Sequence, residues 1–397
     1  METSPFIPFH RPSIGEGEIA AVAEVLRSGW LTMGPKTREF ERAFAGYIGC
    51  KHAVAVNSCT AALHLALDAI GLRPGDEVIV PVNTFTATAA VVAHMGGKVV
   101  FADTLAEGFN IDPADAATRV SPRTRAVIPV HLGGEPCRMD DLGLLAEKQQ
   151  LAVIEDAAHA LPTEYHGRKI GTISPLTAFS FYATKTLTTG EGGMLTTENE
   201  AFAGRAAMMR LHGISHDAWK RYTREGSWYY EVQEAGFKYN MTDVQAALGL
   251  CQLKAVERFR DVREAYVARY RELLGDLGEI ELPPPPGDGV RHAWHLFIIR
   301  LRLEQLAIDR NRFIEELSGA GIGTSVHFIP LHLQPYYARA FGCRRGDFPN
   351  AERTYERSIS LPIYPAMRPA DVDRVAGAVR RIVEQNRVRK AGYAPGV

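Results

Sequence analysis

Cysteine is too scarce and too scattered to organise this sequence. Its five thiols, Cys50, Cys59, Cys137, Cys251 and Cys343, are odd in number and form no C-x-x-C pair. That excludes a disulfide framework and a zinc site built on paired cysteines, so no metal is expected. No apolar run approaches the roughly 20 residues needed to span a bilayer, and the opening Met1-Glu2-Thr3-Ser4-Pro5 is not a basic stretch leading into an apolar core. Charge of one sign is missing too: 45 basic residues against 46 acidic ones leave a formal charge of -1, so no global field draws the chain to nucleic acid or anionic lipid. Together these absences predict a cytoplasmic protein with neither a membrane nor a nucleic-acid partner.

What is present is ordinary globular material, 46% hydrophobic and 23% charged over 397 residues, enough for two domains or one large domain with an appendage. From Ala53 to Thr197 short apolar runs alternate with helical patterns: 52–56, 77–80, 99–101, 126–130, 152–154 and 178–181. Continuous β-branched runs between helices are what a sheet covered on both faces requires. The fold class expected is therefore α/β, a large domain with a mostly parallel sheet flanked by helices. A long helical pattern begins near Thr242 and spans about 243–277, until Pro283-Pro284-Pro285-Pro286-Gly287 ends any helix. The organisation predicted is a large domain over 1–250 and a smaller α+β domain over 251–397, with a strand candidate at 296–299, a helix around 311–317 and a final helix on Val372, Val375, Val379 and Ile382.

Three segments carry chemistry. Asn57-Ser58-Cys59-Thr60-Ala61-Ala62 lies between a strand and the helical stripe Leu63, Leu67, Ile70, where small residues leave the helix's unpaired N–H groups open to a phosphate. Ordinary capping by Ser or Thr explains the same residues. In Ile154-Glu155-Asp156-Ala157-Ala158-His159 a buried strand ends in acids, and ligands of open α/β sheets gather at the carboxyl ends of strands. A strand-end Asp also forms turns. Ser180-Phe181-Tyr182-Ala183-Thr184-Lys185 then places a lysine just past a buried strand, before the glycine-rich Thr189-Gly190-Glu191-Gly192-Gly193. Desolvation there would lower the lysine's pKa and free its amine for Schiff-base chemistry.

These motifs, with Gly236-Phe237-Lys238-Tyr239-Asn240-Met241-Thr242-Asp243 in the same order, resemble the pyridoxal-phosphate-dependent nucleotide-sugar aminotransferases of the DegT/StrS type, across nearly the whole chain. The resemblance implies a fold-type I enzyme and a role for each residue that matches. Lys185 would hold pyridoxal 5'-phosphate as a Schiff base, Asp156 would pair with its pyridine nitrogen, His159 would lie beside its phenolic oxygen and Phe85 would stack on its ring. Thr60, Ala61 and Ser180 match phosphate ligands. Asn240 matches an asparagine reaching the neighbouring subunit's phosphate, which implies a homodimer with shared active sites. Trp30 and Thr32, in Gly29-Trp30-Leu31-Thr32-Met33-Gly34, resemble the segment lining the sugar-nucleotide site, and His327 resembles a residue near the sugar; a core histidine is the alternative there. Lys36, Arg210 and Arg224 are candidates for a diphosphate, and the aromatics of Gly226-Ser227-Trp228-Tyr229-Tyr230-Glu231 for a base or an interface.

The activity so implied is transfer of an amino group from an amino acid, glutamate by resemblance, to a keto group of a nucleotide-linked sugar in amino-sugar or polysaccharide biosynthesis. The segments 210–213 and 236–240 look closest to members acting at C4. The sugar dehydratases of the same family replace the Schiff-base lysine with histidine, whereas Lys185 is present here. An aminocyclitol precursor as substrate, or a regulatory protein that binds the cofactor without turnover, are the competing readings. A transcriptional version of the latter would carry a basic DNA-binding module, and this charge balance has none.

Overall fold

A computed structural model of the chain describes residues 5–214 and 229–388. The first sheet has seven strands: β1 (His52–Val56), β2 (Glu77–Pro81), β3 (Lys98–Ala102), β4 (Thr124–Val127), β5 (Ala152–Asp156), β8 (Leu176–Ser180) and β9 (Gly193–Thr197), with the two-residue strands β6 (Glu164–Tyr165) and β7 (Arg168–Lys169) lying outside it. Its order is β1-β9-β8-β5-β4-β2-β3. β2, β3, β4, β5 and β8 pair in parallel, as their uninterrupted apolar runs require. β9 runs antiparallel to both of its neighbours. The alternation of apolar runs did not reveal β9: Gly193-Met194-Leu195-Thr196-Thr197 follows β8 through a loop with no helix between them, and a short strand opened by glycine carries little period-two signal.

The flanking helices are α1 (Glu16–Ser28), α2 (Pro35–Ile48), α3 (Cys59–Ala69), α4 (Thr86–His94), α5 (Pro113–Thr118), α6 (Met139–Gln149) and α7 (Glu200–Met209). α3 is buried on nearly every side, from Ala61 through Asp68, and packs with Val54, Val56, Val78, Val80 and Leu195 on one face of the sheet. On the opposite face Phe40, Phe44 and Ile48 of α2 pack with Phe179, Phe181 and Met194.

α8 (Asp243–Leu274) joins this core to a second one. Thr242 and Gln245 form a capping box at its start, which satisfies donors that an open helix end would leave unpaired. Its first half packs Ala246, Leu253 and Val256 under the large sheet. Its second half gives Tyr266, Val267, Tyr270 and Leu274 to a core shared with the sheet β10 (Ile280–Glu281), β12 (Phe297–Leu301), β13 (Ser358–Leu361) and with α9 (Arg310–Gly319) and α12 (Pro369–Asn386). β11 (Val290–Arg291) instead pairs with β6, and α10 (Pro335–Phe341) and α11 (Pro349–Arg357) pack Tyr337 and Ala351 back against the first core. Ile7, near the chain's start, belongs to this second core: its amide donates to Gly321 and its carbonyl accepts from Gly323. No described helix is long and apolar enough to cross a membrane.

Candidate active site

The carboxyl ends of β1, β2, β5 and β8 lead into the segments that the sequence singled out, as expected of an open α/β sheet. β5 and β8 are neighbours in register, with Asp156 opposite Ala178, so the acid at the end of β5 lies next to the strand that delivers Lys185. The loop carrying Lys185 returns directly into β9, and Ser180 pairs with Gly193 at its base. Glycine is required at 193 by close approach: a Cβ there would stand 2.5 Å from the Ser58 carbonyl carbon and 2.7 Å from the Cys59 nitrogen.

Asp156 is 4% exposed. Its Oδ2 accepts from the Thr88 hydroxyl at 2.8 Å and its Oδ1 from the Ala158 amide at 3.1 Å. No lysine, arginine or histidine of the described residues lies within ion-pair distance of it. Burial pushes its pKa up, opposed by the Thr88 and Ala158 hydrogen bonds and by the nearby charge of Lys185. A buried carboxylate held by two donors and lacking a cation is a site prepared for one.

Lys185 is the complementary case. Among the described residues its amine makes no hydrogen bond and no ion pair. Desolvation lowers its pKa to about 8, with the Cys59 thiol and Asp156 pulling the other way. Four imidazoles gather round it. His159 is buried, and its pKa is driven well below the usual value by burial and then by Lys185 and His327. His159 Nδ1 accepts from the Gly133 amide at 3.2 Å, so the neutral ring carries its proton on Nε2. His327 and His10 are both lowered to about 3, chiefly by burial. His295 stacks obliquely on His159 with 4.4 Å between ring centres, and among the described residues its Nδ1 and the Nε2 of His10 are buried without a partner. All four rings are thus neutral around one lysine.

The turn before α3 combines both readings of its sequence. Ser58 caps the helix by accepting from the Ala61 amide at 3.1 Å, so the Ala61 N–H is occupied. Among the described residues the Cys59 and Thr60 amides and the Thr60 hydroxyl have no partner, and these are the donors left for an anion. The Ser180 hydroxyl accepts from the Tyr182 amide at 3.3 Å. Phe85 caps α4, is 58% exposed and faces Phe328 at 5.8 Å, whose ring in turn stacks on His159 at 6.1 Å. These features fit pyridoxal phosphate: an unpartnered amine, a carboxylate without a cation, a ring N–H on His159, an exposed aromatic face and free helix amides.

The remaining candidates fall in two groups. His327 joins the cluster, 6.2 Å from His159 between ring centres, with its Nδ1 on the Ser360 hydroxyl at 2.8 Å. Asn240 bridges to Val56, and the Asn57 amide donates to the Tyr239 carbonyl at 2.7 Å, so the 236–240 segment is zipped to the strand that carries the α3 turn. Trp30 and Thr32 are tied instead to the start of α8: the Asp243 amide donates to the Leu31 and Thr32 carbonyls, and its carboxylate accepts from Gly34, Lys36 and Thr37 amides. Arg210 is a correction. It is 1% exposed and donates to Glu41 at 2.5 Å and to the Ala55 carbonyl at 2.6 Å, a buried structural pair that leaves it no reach to a diphosphate. Lys36 pairs with Glu39 at 3.5 Å on the surface of α2. Arg224 and Gly226-Ser227-Trp228 lie outside the described residues, while Tyr229 and Tyr230 are exposed.

Sequence reasoning missed Thr88, His10 and His295, and it noted Gly193 within a glycine-rich turn without the close approach that requires it. Thr88 lies on the first turn of α4 and Thr84 just before its N-cap Phe85, so the spacing of the two alone did not show that their hydroxyls meet. His10 and His295 lie far apart in the chain with no local pattern.

Comparison with known proteins places this geometry. The model of the DegT/DnrJ/EryC1/StrS aminotransferase family matches residues 12–380. The spore coat polysaccharide biosynthesis protein SpsC of Bacillus subtilis is 50% identical over 380 residues, 96% of this chain and 97% of that one. The putative sugar aminotransferase Spr1654 from Streptococcus pneumoniae, solved in its PLP form, superposes with a TM-score of 0.90 at 34% identity, covering 96% of this chain and 99% of that one. DesI, solved in the presence of its TDP-sugar product, gives a TM-score of 0.84 at 32% identity over 96% of this chain and 93% of that one.

Proposed function

This chain belongs to the DegT/DnrJ/EryC1/StrS aminotransferase family, and from that premise we propose that it moves an amino group from glutamate to the C4 keto group of a nucleotide-linked sugar. That it is a pyridoxal-phosphate-dependent sugar aminotransferase follows from the family and its solved members. The nucleotide, the position and the donor are our reading. They are supported by the TDP-sugar bound by DesI and by the likeness of the 210–213 and 236–240 segments to members acting at C4. The observation that carries the residue assignments is the juxtaposition of an unpartnered Lys185 amine with a buried Asp156 carboxylate that has no cation.

Pyridoxal phosphate, when bound, supplies an aldehyde that condenses with amines and an electron-poor ring that accepts electron density from the reacting carbon. Lys185 would hold it covalently. Asp156 would keep a proton on the pyridine nitrogen, because a carboxylate beside that cation favours its charged form. The Cys59 and Thr60 amides, the Thr60 hydroxyl and Ser180 take the phosphate, with Asn240 serving the site of a second copy. The Nε2 N–H of His159, left free by the Gly133 bond to Nδ1, would be the donor for the cofactor's phenolic oxygen. The Lys185 amine, whose pKa burial lowers to about 8, would be the base that takes a proton from the donor carbon and returns it. The neutral imidazoles around it add no like charge, so its lowered pKa is set chiefly by burial. The donor leaves as its keto acid and the sugar carbonyl ends as a primary amine, so no outside oxidant is needed.

Ile329 and Tyr336, both exposed in the single chain, are apolar surface that a second copy would cover in a homodimer. Holoprotein incubated with glutamate and a panel of nucleotide-linked keto sugars should yield 2-oxoglutarate and one amino sugar, identified by mass spectrometry and by which carbon carries nitrogen. Amination at C3, or of an aminocyclitol precursor only, would overturn the substrate reading.

A further inference from the structure

We infer that Thr88, with Thr84 behind it, is a positioning residue that holds Asp156 ionised and aimed at the pyridine nitrogen; this rests on the reading of Asp156 given above. The hydroxyl count fixes the direction of the chain. An ionised carboxylate only accepts, so the single Thr88 proton goes to Asp156 Oδ2 at 2.8 Å. The 2.8 Å bond between the Thr84 and Thr88 hydroxyls then has Thr84 as its donor. Both threonines are 0% exposed, so no solvent competes for either bond. Thr84 precedes Phe85, the N-cap of α4, and Thr88 follows it on the helix's first turn, so this short segment carries both the aromatic facing the cleft and the donor gripping the acid.

A hydroxyl suits this position better than a cation. Arg or Lys would cancel the charge that the ring nitrogen needs, whereas Thr88 and the Ala158 amide occupy one lone-pair direction on each oxygen and leave the others for a ring N–H. Cys59 Sγ stands 3.9 Å from Oδ1 and adds only a weak thiol contact. Against the desolvation that favours the neutral acid, the Thr88 bond is the largest opposing influence.

The test uses holoprotein reconstituted with pyridoxal phosphate carrying heavy nitrogen in its ring, whose nitrogen chemical shift reports whether that atom is protonated. Thr88→Val keeps the side chain's shape and removes the donor. It should move the shift toward the unprotonated value and weaken cofactor binding about tenfold, the loss of a hydrogen bond to a charged group. Thr88→Ser should restore both readouts. Thr84→Val, one link removed, should weaken binding by about threefold at most. If the valine variant does not fold, Thr88→Ala reads the same proton with less demand on packing. A wild-type shift and affinity in the variant lacking the hydroxyl, alongside loss of the ring proton in Asp156→Asn, would overturn the role of Thr88 and leave Asp156 standing. A ring that stays protonated in Asp156→Asn would overturn the reading of Asp156 and this inference with it.

Discussion

Lys185 should titrate far below an unperturbed lysine, and its burial sets by how much. With its pKa at about 8 instead of 10.5, about one amine in ten is neutral at about pH 7, against roughly one in three thousand for an unperturbed lysine, a gain of about 300-fold in reactive form. Competitive acylation of the cofactor-free protein from about pH 6 to about pH 10, read by peptide mass spectrometry, measures this midpoint for each lysine separately. Lys51, whose side chain is 71% exposed, supplies a solvated reference on the same molecule. Asp156→Asn gives the sign of the coupling: the carboxylate favours the charged amine, so its loss should lower the Lys185 midpoint further. Because the folded state binds fewer protons here than the unfolded one between about pH 8 and 10.5, this group's contribution to the stability of cofactor-free protein rises with pH across that window. A Lys185 midpoint indistinguishable from Lys51, or one that climbs in Asp156→Asn, would refute the desolvation argument.

Two other predictions bear on the rest of the molecule. Mixing subunits carrying Asn240→Ala with subunits carrying Lys185→Ala should restore part of the activity that each lacks alone, since one composite site then has both groups; no recovery in proven mixed dimers would count against the shared site. Arg210→Ala should lower unfolding free energy by about 3–5 kcal/mol in urea titrations by stranding Glu41, and an unchanged midpoint would show that the pair is not structural.

What the sequence made legible follows the range of each signal. The strands from β1 to β8 of the large sheet and the helices α8 and α12 are written in local periodicity, and Asp156 and Lys185 sit where apolar runs end in chemistry. The order of the strands is not local: nothing near Gly193 says that β9 slots between β8 and β1 in the opposite direction. Arg210 looked like a free cation because its partner Glu41 is 169 positions away and the burial that joins them is tertiary. The histidine cluster drew its members from the chain's first residues, from β5's end and from beyond α8, and only the folded cores bring them to one lysine. Thr84 and Thr88 lie four positions apart, but Thr84 precedes α4, and hydroxyls in a T-x-x-x-T run draw little notice until the acid they face is known.

The antiparallel return into β9 has a consequence for how this scaffold can change. Both feet of the lysine-bearing loop stand in one ladder, Ser180 opposite Gly193, beside the strand that ends in Asp156. A connection so anchored acts as a span of set length: inserting or deleting residues would swing the amine off its mark, while exchanging a side chain in place would not. New reactions on this frame are therefore expected to arise by swapping residues along the span, and libraries that vary its composition should retain folded, cofactor-competent members far more often than libraries that vary its length.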